Sequence, residues 1–337
     1  MRSGKQRASL LLCGILATVI FSMSGCGTPL KRGDNLLVVN FQQNKTLRYQ
    51  MVSSRTLNFE LKSSATDKKQ SENQKTEESL ELVMAYKPLK VNPFGLTQIE
   101  CTCESAKVNR SAQAGKTRTA ADAVEKLAGK SFVLELSPVG KIDDFGQLEK
   151  LLLDVGTASF ETSRNNMRVK SPDMIYDFIA LQWYLWDSIA SIPNPLSGVN
   201  PQMTWTSTQL VAWPVPVPNM PCRITTFTLD SIKEENGQKM ALINSTYQIS
   251  PKTVENFPKP YEGSFLMQGM FGFLKDYQFQ TIQGKGQQVF NLTTGQVESD
   301  TQEYDMFVTA SFPLPLGDSV PQLNIHQTMT VKLLDTP

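Results

Sequence analysis

Residues 171–191 read SPDMIYDFIALQWYLWDSIAS, and how this segment is read decides the fold. Ser171 can cap a helix, Pro172 suits the first helical position and Asp173 favours the helix's positive end. Ile175, Phe178, Leu181, Leu185, Trp186 and Ile189 recur at helical spacing on one broad face, which Ile179, Trp183 and Tyr184 widen. A helix apolar nearly all round is buried on most sides. The segment is short for a bilayer span, which takes roughly 20 apolar residues, and it carries Asp177 and Asp187. It reads as a helix lying in a concave sheet. The functional alternatives are a helix that lines a hydrophobic-ligand pocket through Phe178, Leu181, Leu185 and Trp186, or one that dips into a bilayer surface.

Around this segment the dominant period is two. Leu80, Leu82, Met84 and Tyr86 alternate with polar residues, as do Phe132, Leu134 and Leu136. Tyr304, Met306, Val308, Ala310 and Phe312 do the same, and so do Ile325, Met329, Val331 and Leu333. Such runs predict half-buried antiparallel strands. Further strands are expected over 47–61, 202–212, 223–232, 239–249 and 277–292, with hairpin turns at Asn236-Gly237 and Thr294-Gly295. A shorter helix is expected near 144–155, ended by Gly156. The segments 63–79 and 108–122, charged and poor in large apolar residues, read as solvated loops. WPVPVPNMP (213–221) reads as an extended proline strap. The expected fold is α+β and mainly β: curved antiparallel sheets packed around two or three helices. A weak likeness between 132–145 and 289–301 leaves open two related β-rich halves.

The amino terminus carries an address. Arg2, Lys5 and Arg7 precede an apolar run, Leu10–Phe21, and small residues follow, as in a secretory signal. At its end Met23-Ser24-Gly25-Cys26 resembles the lipobox of bacterial lipoproteins, with Met in place of the usual Leu. The resemblance implies cleavage before Cys26 and acylation of that cysteine, which would anchor the chain to a membrane. It implies an exported protein, on the periplasmic face of the outer membrane in a two-membrane cell and otherwise at the cell surface. The body loosely resembles bacterial lipoproteins of unknown function, a likeness that implies no site residues. The organisation expected is a signal at 1–25, the lipidated cysteine and a tether at 26–45, and a β-rich half at 46–170. An apolar helix and connector at 171–200 and a second β-rich half at 201–337 complete it.

Charge and residue types bound the chemistry. Loss of the signal's three basic residues takes the net charge from +1 to −2, so no basic excess points to nucleic acid. Beyond Cys26, Cys101, Cys103 and Cys222 read as buried structural thiols, with a bridge to Cys222 left open. The single histidine, His326, sits in an expected strand. No HExxH, CxxC, GxSxG or phosphate-loop pattern occurs, and Gly284-Lys285-Gly286 reads as a polar turn. Asp143-Asp144 and Glu234-Glu235 read as solvated acids. No catalytic residue, cofactor or metal is expected. The function expected is a lipid-anchored envelope protein with a non-catalytic structural or binding role. Its partners are the membrane, through acyl chains on Cys26, and a hydrophobic ligand or an envelope protein. The alternatives are a carrier of hydrophobic cargo and a carboxylate-based envelope hydrolase.

Overall fold

In the computed structural model the described residues are 35, 37, 42–62, 74–92, 95–111, 121–137, 140–162, 165–190, 198–217, 219–253, 257–313 and 320–334, less the side chains at 62, 95, 96 and 187–190. The signal, Cys26 and most of the tether lie outside them. The chain forms β1 (Leu47–Lys62), β2 (Gln74–Asn92), β3 (Gly95–Arg110), β4 (Ser131–Leu136) and β5 (Ile142–Asp144). Then come α1 (Gly146–Thr157), β6 (Glu161–Thr162), β7 (Arg168–Lys170) and α2 (Ile175–Ala190). The remaining strands are β8 (Thr204–Leu210), β9 (Cys222–Glu235), β10 (Gln238–Ile249), β11 (Leu266–Met267), β12 (Lys275–Asn291), β13 (Gln296–Ser311) and β14 (Val320–Leu334). Eleven of these strands make one antiparallel sheet in the order β5-β4-β3-β2-β1-β14-β13-β12-β10-β9-β8. A small second sheet joins β11, β7 and β6. The fold is mainly β, with two α-helices among the described residues. None of the described helices is long and apolar enough to cross a membrane.

The period-two runs become the strands for the expected reason. Along β2, Leu80, Leu82, Met84 and Tyr86 are fully buried. The in-register residues Met51 on β1 and Cys101 on β3 are buried beside them. The β9–β10 turn uses Asn236 (φ 52°) and Gly237 (φ 76°), the left-handed pair that a two-residue hairpin requires. Gly295 (φ 71°) closes the β12–β13 turn.

Four sequence readings change. The charged segments 63–79 and 108–122 are strand in part, because β2 begins at Gln74 and β3 runs to Arg110; 63–73 and 112–120 lie outside the described residues. Helix α2 starts at Ile175, where Asp173 Oδ1 accepts the Ile175 N–H (3.2 Å), while Ser171 Oγ bonds Gln268 instead. Gly156 is not a stop but part of α1: a Cβ there would lie 1.9 Å from the Pro260 carbonyl oxygen, so the residue permits close packing against that backbone. Gly284 and Gly286 lie within β12 rather than in a turn.

Helix α2 sets the shape of the sheet. Phe178 meets Phe132 of β4, one strand in from an edge, with ring centroids 6.3 Å apart. Tyr184 donates to the Leu210 carbonyl of β8, the opposite edge, at 3.0 Å. Those strands stand nine spacings apart in the sheet order, about 43 Å if the sheet were flat. From Phe178 to Tyr184 the helix axis advances only about 9 Å. The sheet therefore curls around α2, and it stays open because β5 and β8 are its two edges.

Candidate functional site

Four places in the described residues concentrate polar chemistry: one at the start of α2 and one near Tyr184 in its second half, both in the interior, and two at the surface. At the amino-terminal end, alternation on β1 turns Ser53 and Arg55 inward with Met51 and Leu57. Arg55 Nη1 lies 2.9 Å from Asp177 Oδ2 of the helix, and its Nε bonds Glu78 of β2. Ser53 Oγ donates to Asp177 Oδ1 at 2.6 Å and accepts from Gln327 Nε2 of β14 at 2.7 Å. Arg110 of β3 extends the network. It bonds Glu78 Oε2 and the Pro172 carbonyl, both at 2.6 Å, and its Nη2 lies 3.2 Å from Asp122 Oδ2. Asp122 in turn accepts the Val124 and Met174 N–H groups at 3.1 and 3.3 Å. The clamp joins β1, β2, β3, β14 and the start of α2.

Its groups titrate against one another. Burial opposes the Arg55 charge, but Asp177 and Glu78 outweigh it and hold the guanidinium protonated. Burial alone would raise the Glu78 carboxyl, yet Arg55 and Arg110 pull it below its ordinary value. Burial wins at Asp177, which sits above the ordinary carboxylate value despite Arg55 and Ser53.

The other end of α2 holds a second buried arginine, neutralised differently. Arg223 of β9 packs its guanidinium carbon 3.9 Å from the ring centroid of Tyr247, 4.8 Å from that of Tyr184 and 4.9 Å from that of Tyr304. Its nitrogens bond Gln209 Oε1 (3.0 and 3.3 Å) and Gln302 Oε1. Gln302 Nε2 passes the network on to Asp300 Oδ2 at 3.0 Å. Burial lifts the Asp300 carboxyl to about 6, against the opposing pull of Gln302, Arg223 and Gln288. The two strand glycines make room for this cage. Gly284 pairs with Tyr247 on one side and Tyr304 on the other. A Cβ on Gly286 would fall 2.1 Å from the Tyr247 hydroxyl. The Gly-Lys-Gly motif is thus a seat for aromatic rings.

On the surface, a groove of about 860 Å³ runs between the start of α1, the proline strap and residues 253–261. Asp143, Asp144 and Glu149 face Lys259 across it, with Phe145, Val217 and Phe257 supplying apolar wall. Its size suits a small ligand. The two carboxyls raised by burial, Asp177 and Asp300, are not among its lining residues. A shallower polar trough of about 630 Å³ lies along β1, β2, β3 and β14, and its lining includes the clamp residues Arg55, Glu78 and Arg110 as well as Ser54, Asn109 and His326. His326 stands 42% exposed, with Nδ1 2.9 Å from Asp305 Oδ1 and Nε2 3.7 Å from Glu303.

The residues singled out from sequence fall as follows. Phe178, Leu181, Leu185 and Trp186 are all buried in the core cluster. Trp186 packs edge-on against Tyr86 at 5.7 Å, and none of the four lines the groove or the trough. Cys101, Cys103 and Cys222 are buried, and no disulfide joins them. Among the described residues no group of three or more His, Cys, Asp or Glu could hold a metal ion. Sequence reasoning missed Arg55, Arg110, Glu78, Asp122 and Arg223. A basic residue at an inward strand position is the signal that could have found Arg55 and Arg223.

No protein-family model matches the chain, and no curated protein does. Among solved structures, an outer membrane channel from Pseudomonas putida F1 aligns over 90% of this chain and 98% of its own, at 7% identity and a TM-score of 0.22. A likeness that slight carries no argument about fold or function.

Proposed function

We propose that this chain is a lipid-anchored protein of the cell envelope, held to its membrane by acyl chains on Cys26, with a non-catalytic structural or binding role. The observation that carries the reading is the Met23-Ser24-Gly25-Cys26 sequence at the end of an export signal. The body supports it in two ways. Asn35 is bridged to Val199 by backbone bonds of 2.6 and 3.3 Å, so the chain joins the body only nine residues after Cys26. Nine extended residues reach about 32 Å, which keeps the body close to the lipid. Two concavities, the groove beside α1 and the polar trough over the clamp, offer places for a binding partner. The test is Cys26→Ser, followed by membrane fractionation and intact mass. Acylation should vanish, and the chain should keep its uncut signal or become soluble. If it remains acylated and membrane-bound, the reading is wrong.

A second reading, a carrier of hydrophobic cargo, draws on one observation: a curled, open sheet encloses an apolar helix. Cargo would have to take the place of α2, since Phe178, Leu181, Leu185 and Trp186 are packed into the core. The hydrolase reading asks for a concave acidic cleft and a raised carboxyl in the same place. Here the acidic groove and the raised carboxyls Asp177 and Asp300 stand apart.

A further inference from the structure

We propose that the groove beside α1 binds a small organic cation, one or two ammonium groups carried on an apolar body. This rests on the binding role proposed above and is independent of the lipid anchor. Three carboxylates line the groove, Asp143, Asp144 and Glu149, against one cation, Lys259, which leaves a formal charge of −2. Lys141 and Lys150 flank these acids in the chain but do not line the groove. Asp144 has a local task, since its Oδ1 accepts the Gly146 N–H at 2.7 Å where α1 begins. Asp143, Glu149 and Lys259 have no ion-pair or side-chain hydrogen-bond partner among the described residues. The positive end of α1 offsets only about half a charge, so the lining stays clearly negative.

A second observation points into the same groove. Tyr176, in the first turn of α2, is only 4% exposed, yet it is one of the lining residues. Its ring meets that of Tyr261 edge-on, with centroids 6.2 Å apart. The Tyr261 hydroxyl donates to Asp173 Oδ2, whereas the Tyr176 hydroxyl has no partner among the described residues. A tyrosine this deep normally keeps its hydroxyl bonded. An ammonium group in the groove supplies that bond by donating to the phenol oxygen, and the acids then balance its charge.

The walls suit the rest of such a ligand. Phe145, Val217, Met220 and Phe257 offer an apolar lining, and aromatic rings attract cations. These walls are fixed in advance. Phe145 packs edge-on against Trp183 at 5.5 Å, and Gly156 lets the Pro260 backbone lie directly against α1. A preformed site gives up little freedom on binding. The volume, about 860 Å³, falls in the range of small-molecule sites, which favours a small ligand over a protein segment.

The test is calorimetry on the mature full chain in phosphatidylcholine nanodiscs, with empty discs subtracted. If the mass shows no acyl groups, the same titration runs in buffer, so failure of the anchor still leaves the groove decidable. Three probes share one alkane body: octane-diamine, octanediol and the dicarboxylate suberate. The diamine should bind, more weakly as salt is added, and the other two at least about tenfold less tightly. Asp143→Asn with Glu149→Gln should weaken the diamine about tenfold, and Tyr176→Phe a few-fold. The first pair removes charges that nothing in the fold engages, and phenylalanine keeps the buried ring. Equal binding of the diol, or tighter binding of suberate, would overturn the cation and leave the groove as a binding site. Diamine affinity unchanged by the double substitution would place the cation elsewhere and overturn the proposal. A lysine-rich peptide that displaces the diamine with far higher affinity would overturn it in favour of a protein partner. Silence from every probe would overturn the groove as a site and, with it, the support it lends to a binding role.

Discussion

The two ends of α2 face the same problem, a buried arginine beside a helix, and meet it with different chemistry. At the amino-terminal end Arg55 touches two carboxylates directly. At the other end Arg223 touches three tyrosine rings and two glutamines, and reaches its nearest carboxylate, Asp300, only through Gln302. The difference lies in where the counter-charge resides. A carboxylate held between two arginines stays ionised in the interior, as Glu78 does between Arg55 and Arg110, whereas Asp177, paired with Arg55 alone, is raised by burial. One held at a distance by an amide feels burial more than attraction, and Asp300 rises to about 6. Both ends should therefore respond to pH, through Asp177 and Asp300, while the first also depends on the integrity of its direct ion pairs.

The largest expected effect comes from breaking the first end. Arg55→Met leaves Asp177 buried without its arginine and Glu78 with Arg110 alone, and should cost about 3–5 kcal/mol, read from urea unfolding. Arg55→Met combined with Asp177→Leu should recover much of that loss, because an apolar pair replaces an ionic one. Equal loss in the single and double variants would mean the clamp is not acting as a pair.

Phe178→Ala tests the apolar side of the same helix. If the residue is core it should cost about 3–5 kcal/mol, by lost burial and the cavity left behind. A near-neutral result would favour a ligand-lined pocket.

Asp300→Asn probes the second end through pH. Its folded value, about 6, lies above the ordinary 3.8, so the folded protein holds that proton more tightly than the unfolded chain. The stabilisation from this group is full below about pH 4 and is lost as pH rises through 6. Wild type should therefore gain stability from it on going from pH 7 to pH 5. Asn should be the more stable form at pH 7, by up to about 3 kcal/mol, and should flatten that slope. Asp177 shifts in the same direction, so the substitution removes one share of the dependence. Unchanged slopes in urea midpoints would show that Asp300 is not the buried titrating group.

Arg223→Met should be milder than Arg55→Met, about 2 kcal/mol, since it forfeits contacts with aromatic faces and leaves Asp300 free to take up a proton. A larger loss than at Arg55 would reverse the comparison.

Much of the fold was legible because it follows from local pattern. Alternation marked the strands, Asn236-Gly237 marked its hairpin, and the apolar run Ile175–Trp186 marked the buried helix. The interior charges were not legible, since Glu78 and Arg110 sit in segments whose composition resembles solvated loops. Only strand pairing across distant parts of the chain puts them together: Glu78 faces Arg55 across β1 and Arg110 across β3. The glycines failed for a related reason. Gly156 answers to the Pro260 backbone, Gly284 to the Glu303 carbonyl and the Cα and Cβ of Tyr304, and Gly286 to the Tyr247 hydroxyl, contacts that no window of sequence contains. The groove beside α1 joins the stretch 143–149 to the strap and to Thr253, Phe257, Lys259 and Tyr261; of its three acids, Asp143 and Asp144 read from sequence as exposed, without revealing what they face.

The central claim is that α2 is an integral part of the body, pinned at both ends, rather than a plug that leaves to admit cargo. Native-state hydrogen exchange across Phe178–Trp186 tests it most directly. The account expects these amides to exchange only on global opening, with the same free energy as the paired amides of β1 and β14. Exchange of the helix at a distinctly lower free energy, with the sheet still protected, would contradict it and would establish α2 as a separable element.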